Sequence, residues 1–82
     1  MNDLKETVNL MLSPDYKERF KAEYYQLKIR YDKLKAMCEK WDNNKLDFTP
    51  SCPRYFYRIQ LRAMEDYLLC LEERAEIEGV KL

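Results

Sequence analysis

Arg54, Arg58 and Arg62 are spaced by four residues, so on an α-helix they share a face and present three guanidinium groups in a row. Tyr55 and Tyr57 are interleaved with them, and Trp41 lies upstream. Guanidinium forks match phosphate oxygens, aromatic faces attract cations and stack on flat rings, and a helix N-terminus favours anions. Such a set suits phosphate or nucleotide binding. Lys33, Lys35, Lys40 and Lys45 would join it if the chain folds back on itself. The candidate ligand-binding residues are therefore Arg54, Tyr55, Tyr57, Arg58, Arg62 and Lys40. A plainer reading makes these charges solvent-facing, partly offset by Asp32, Glu39 and Asp42, with the aromatic rings in the core.

The stretch from Glu65 to Glu78 is acidic, with Glu65, Asp66, Glu72, Glu73, Glu76 and Glu78 relieved only by Arg74. Carboxylates in a last helical turn oppose the helix dipole, so their stabilisation must come from elsewhere. Lys17, Arg19 and Lys21 are the expected partners. Alternatively this face occupies a basic groove on another protein. Tyr25 falls off the apolar seam described below and is an interface candidate. The protein-interface residues are accordingly Tyr25, Glu72, Glu73 and Glu76.

Much chemistry is excluded. The chain has no histidine, so no base stands ready to activate Ser13, Ser51 or a cysteine. Its single glycine, Gly79, rules out a glycine-rich phosphate loop. Cys38, Cys52 and Cys70 are odd in number and form no Cys-x-x-Cys, which argues against a disulfide framework or a zinc site. Cys38 and Cys70 fall on apolar faces and are expected to be buried. No catalytic residue, metal or cofactor is expected, and the chain reads as a binding protein, not an enzyme. Fifteen charges of each sign give no global pull toward nucleic acid or membrane. No apolar run reaches the roughly 20 residues of a membrane span, and the opening residues lack a signal-peptide layout. A cytoplasmic location follows as the expectation.

The elements that position these residues are helical. Eighty-two residues suffice for one domain. Leu4, Val8, Met11 and Leu12 have helical spacing within a short first segment, residues 1–12. Ser13-Pro14-Asp15 starts a helix over 14–42, with Ser13 as the expected cap. Phe20, Tyr24, Leu27, Tyr31, Leu34, Cys38 and Trp41 recur at alternating steps of four and three, a coiled-coil-like seam. Residues 43–52 hold Asn, Asp and Pro and read as a loop, with Leu46 and Phe48 folding back over the core. A second helix over 53–78, capped by Ser51 or Cys52, stops at Gly79. Tyr57, Leu61, Met64, Leu68, Leu71 and Ala75 form its seam, and Phe56, Ile59, Ala63, Cys70 and Ile77 form a second apolar set beside it. The fold expected is all-α: an antiparallel two-helix hairpin with a short N-terminal helix. One partner helix covers a stripe only, so the surplus apolar surface predicts a homo-oligomer.

The stretch Arg19, Glu23, Leu27, Tyr31, Leu34, and the later series Gln60, Met64, Tyr67, Leu68, Leu71, Arg74 with Ala75-Glu76-Ile77-Glu78-Gly79, resembles short, uncharacterised proteins of bacteriophages and prophages of gut bacteria. The resemblance spans about residues 11–82 and implies a phage source and a bacterial host cytoplasm. Similar proteins begin near Met11, which would make residues 1–10 a dispensable extension. Pro53-Arg54-Tyr55 and the apolar spacing through Met64, Leu68 and Leu71 give a looser likeness to phage helical-hairpin sponges for cyclic oligonucleotide immune signals (anti-CBASS type). That likeness implies an oligomeric counter-defence protein sequestering a cyclic nucleotide. The alternative is a protein–protein inhibitor or adaptor acting through the acidic or apolar helix faces on a host or phage protein.

Overall fold

The computed structural model describes residues 1–82. A 3₁₀ turn, Leu4–Thr7, runs into one turn of α-helix, Val8–Met11 (α1). Two long helices follow, Tyr16–Asp42 (α2) and Arg54–Glu78 (α3). No strand is present, and the molecule measures 43 × 24 × 17 Å.

α2 and α3 pack against each other, and both seams face inward. Phe20, Tyr24, Tyr31, Leu68, Leu71, Ala75 and Val80 form the buried core, with Leu27, Leu61 and Met64 packed against it. Cys38 is buried at the far end of the same seam. The cross-hairpin contacts keep one antiparallel register. Lys17 Nζ donates to the Gly79 carbonyl, the Tyr24 hydroxyl to Glu72, the Tyr31 hydroxyl to Glu65, and Arg54 to Asp42. Each advance along α2 is matched by an equal retreat along α3, as straight antiparallel helices of equal rise require.

Both long helices end the same way. Asn44 and Gly79 adopt left-handed conformations, at φ 58° and 71°. Beyond them the Lys45 amide donates to the Lys40 carbonyl and the Val80 amide to the Ala75 carbonyl, each at 2.8 Å. This six-to-one bond is the Schellman closure, and the buried Val80 supplies its usual apolar contact. The helix starts differ from expectation. Asp15, not Ser13, caps α2, its carboxylate accepting the Lys17 amide at 3.0 Å. Ser13 instead accepts the Asp15 amide and donates to Glu18. Neither Ser51 nor Cys52 caps α3. Pro53 precedes its first residue with no side-chain cap, and the Phe56 amide donates to the Pro53 carbonyl at 3.1 Å.

The N-terminal segment packs on α2 through Thr7, which is fully buried. Its hydroxyl donates to the Leu4 carbonyl and accepts from Gln26 Nε2 at 2.9 Å. Ala22, Gln26 and Ile29 are spaced by four and three, so they form a second inward stripe of α2. Ala22 and Ile29 are both buried, although α3 lies on the other side. The second apolar set of α3 remains uncovered: Phe56, Ile59 and Ile77 are 52%, 47% and 84% exposed.

Candidate functional site

The loop end of the hairpin gathers several lysines that have no ion-pair partner. On α2, Lys33, Ala36, Met37 and Lys40 follow helical spacing, and the loop returns over them because Asn44 turns the chain back. Lys45, Leu46, Asp47 and Phe48 make the opposite wall of an open groove of about 370 Å³. Its floor is apolar and its rim carries three ammonium groups. None of these lysines has an ion-pair partner; the salt bridges of the molecule are Lys28–Asp32, Arg54–Asp42 and Arg74–Glu78. Phe48 is 54% exposed and also lines a neighbouring hollow with Trp41 and Pro50. An anion with a flat apolar portion matches such a groove, since the lysines neutralise charge and Phe48 offers a ring face.

The arginine stripe does not join this groove as one cluster. Arg54 turns to Asp42, making two bonds of 3.0 and 3.1 Å and lying over the Trp41 ring. That guanidinium holds the Asp42 carboxyl below the usual carboxylate range, and Asp42 in turn raises Arg54. Trp41 packs edge-on against the half-buried Tyr57, so these two rings brace the hairpin end. Arg58 lies 5.5 Å from the centre of the exposed Tyr55 ring. With Arg62 it flanks a separate hollow on the outer face of α3, formed with Ile59, Ala63 and Asp66. Lys35 stands over the Tyr31 ring. Of the expected ligand residues, Lys40 alone lines the groove. Lys33 and Lys45 join it because they fall on the wall that the loop closes. The helical spacing already grouped Lys33 with Lys40, but only the left-handed Asn44 places Phe48 opposite them.

The acidic end is organised by tyrosines, not by the expected lysines. Tyr24 and Tyr31 are seven residues apart and reach Glu72 and Glu65, also seven apart, at 2.7 Å each. Burial, then the bond to Glu72, pushes the Tyr24 hydroxyl up to about 12. The bond to Glu65, then burial, does the same for Tyr31. Tyr67 donates to Glu23 and is likewise raised. Lys17 and Arg19 serve backbone carbonyls instead. Glu72 is therefore occupied, whereas Glu73 and Glu76 are exposed and unpaired. Tyr25 is half-buried, edge-on to Tyr24 and packed against the core. Cys70 is exposed, because it belongs to the uncovered α3 set and not to the seam.

A trough of about 500 Å³ escaped the sequence reading. It lies along α2 between Met11 of α1 and Tyr67 of α3, and Arg19, Glu23, Gln26 and Arg30 line it. It exists because α1 and α3 both pack on α2 without meeting, a gap no periodicity reveals. No cluster of His, Cys, Asp and Glu could hold a metal ion, and no helix is long and apolar enough to cross a membrane.

The family model named Sequestin matches residues 14–77. The chain belongs to the Sequestin family. The name denotes sequestration, which is a binding role. No curated protein and no solved structure matches the chain. The Sequestin match spans α2, the loop and nearly all of α3, so it contains the lysine groove, the arginine hollow and the tyrosine–glutamate pairs. The N-terminal segment with Thr7 lies outside it.

Proposed function

We propose that this Sequestin protein captures an anionic nucleotide at the loop end of its hairpin and holds it without chemical change. The observation that carries this reading is the groove of Lys33, Lys40 and Lys45 over Met37, with Phe48 at its edge. Three unpaired cations around an apolar floor suit phosphate groups attached to a stacking base. Arg58 on Tyr55 supplies a second cation–aromatic pair on α3. Within this reading the ligand is a cyclic nucleotide immune signal, and the protein is a phage counter-defence factor working in the cytoplasm of a bacterial host. No groups stand ready to activate a nucleophile, so sequestration, and not turnover, is the mechanism. The working unit is an oligomer, since α3 exposes more apolar surface than one chain covers.

Calorimetry against a panel of cyclic di- and trinucleotides tests the proposal. Binding is expected for at least one member, and Lys40→Glu should weaken it roughly tenfold or more, because one attractive charge becomes repulsive. Silence across the panel at high micromolar concentration would remove the nucleotide reading. The alternative, a protein–protein inhibitor or adaptor, draws on the exposed, unpaired Glu73 and Glu76. In that case the panel is silent, and reversing Glu73 and Glu76 to Lys abolishes a complex with one host or phage protein while helix content is kept.

A further inference from the structure

The outer face of α3 carries a second repeat that the hairpin leaves unused. Phe56, Ile59, Ala63, Asp66, Cys70, Glu73 and Ile77 recur at alternating steps of three and four, and all of them are exposed. Leu69, 55% exposed, stands beside this line. A face about 32 Å long, from Phe56 to Ile77 on one 25-residue helix, is shaped to receive another straight helix.

Charge decides which helix, and in which direction. Two shallow hollows lie along this face. The one near the start of α3 is flanked by Arg58 and Arg62. The other, nearer its end, is formed by Leu69, Cys70, Glu73 and Ile77 with Asp66 and Arg74, and Arg74 is already tied to Glu78 at 2.8 Å. Glu73, Glu76 and Arg62 have no ion-pair partner within the chain. The face is therefore basic at one end and acidic at the other, with Ala63, Leu69 and Cys70 between them and the exposed Asp66 shared by both hollows. Such a face complements its own reversed copy. Parallel pairing would instead set arginines against arginines and glutamates against glutamates, which repel.

We propose that two copies of this chain pair through their α3 outer faces in antiparallel register, about a two-fold axis near Leu69. This inference rests on the self-association read above and adds the surface and its direction. Ile59 of each copy meets Ile77 of the other, and the two Leu69 side chains meet on the axis. Arg62 of each copy pairs with Glu76 of the other. Glu73 finds room beside the small Ala63 of the second copy and lies within reach of Arg62 there. The interface is isologous, as closed two-fold dimers require. It also sends the two loop ends to opposite ends of the dimer. Each lysine groove, which lies on α2 and the loop, stays open to ligand.

Sedimentation equilibrium of the full chain, with charge reversals, tests the pairing. The wild type is expected to be a dimer. Arg62→Glu and Glu76→Arg should each raise the dimer dissociation constant roughly tenfold or more. The double variant R62E/E76R should restore it, because residues 62 and 76 are too far apart on one helix to meet except across the axis. Both side chains are exposed and make no contact that the fold uses, and unchanged far-UV circular dichroism would verify this. A monomer at all concentrations would overturn both the self-association and this surface. A dimer indifferent to the single reversals, or one that the double variant fails to restore, would overturn the antiparallel α3 surface and leave self-association standing.

Discussion

Tyr24 and Tyr31 do more in this protein than fill the seam. Each ring is buried at 8% exposure while its hydroxyl reaches an exposed glutamate on the other helix. A phenol that donates to a carboxylate holds its proton more tightly, because ionisation would set two negative charges side by side. Both hydroxyls rise from 10.0 to about 12. Above pH 10 the unfolded chain releases these protons while the folded chain keeps them. Their stabilising contribution is therefore complete below pH 10 and is lost as pH climbs toward 12. Chemical denaturation across that window should show stability falling. Tyr24→Phe and Tyr31→Phe should each flatten the fall, at a cost near neutral pH of about 1 kcal/mol for the lost bond. A slope unchanged in the double Phe variant would disprove the assignment. The seam position of both tyrosines was legible in the sequence, since steps of four and three mark it. Their partners were not. Choosing Glu65 and Glu72 over Asp66 and Glu73 depends on the register between helices, which no single-helix pattern contains.

The seams of α2 and α3 follow directly from periodicity, and the structure buries or half-buries every member of both. Helix ends obey finer rules. Ser13, Pro14 and Asp15 all favour a start, and the competition went to Asp15 because Ser13 was drawn to Glu18. The end at Gly79 was clear, because a left-handed residue past an apolar repeat calls for glycine. Asn44 performs the same task less obviously, and the lysine groove depends on it, so the sequence pattern alone points to only one of the groove's three lysines, Lys40. Two substitutions separate these contributions. Leu71 is 1% exposed at the centre of the core, so Leu71→Ala should cost about 2–5 kcal/mol in transfer and cavity terms. Gly79→Ala meets only Lys17 Nζ at 3.7 Å. Its cost is conformational, about 1–2 kcal/mol for a Cβ in the left-handed region. Urea unfolding reads both. Equal losses would mean that the cap position is also a packing position.

At the scale of the whole molecule, the N-terminal segment is the part whose role changes most. The resemblance to shorter proteins made residues 1–10 look dispensable, and the Sequestin match begins only at residue 14. Yet the segment covers a stripe of α2 that α3 cannot reach. Thr7 is fully buried against it, Gln26 bonds to Thr7, and Ala22 and Ile29 are 2% and 5% exposed. Eleven of 82 residues are buried in the chain, and three of them, Thr7, Ala22 and Ile29, lie on this side of α2. Deleting residues 1–12 would return Ile29 to water and strip Gln26 of its partner. Exposing one isoleucine costs about 1.5–3 kcal/mol. In a chain of this size each kcal/mol moves the melting midpoint by roughly 4–8 °C, so the truncated chain should melt about 6–24 °C lower. The lysine groove is lined by residues from Lys33 to Phe48 and by none of the N-terminal segment, so its affinity for any nucleotide should survive the truncation at temperatures where the hairpin stays folded. Thermal melts by circular dichroism, paired with calorimetry on the same truncated chain, separate the two outcomes. An unshifted melt would show that α2 and α3 hold their geometry alone and that the first turn is an attachment. A lower melt with intact binding would show that the segment supports the hairpin from behind while taking no part in capture.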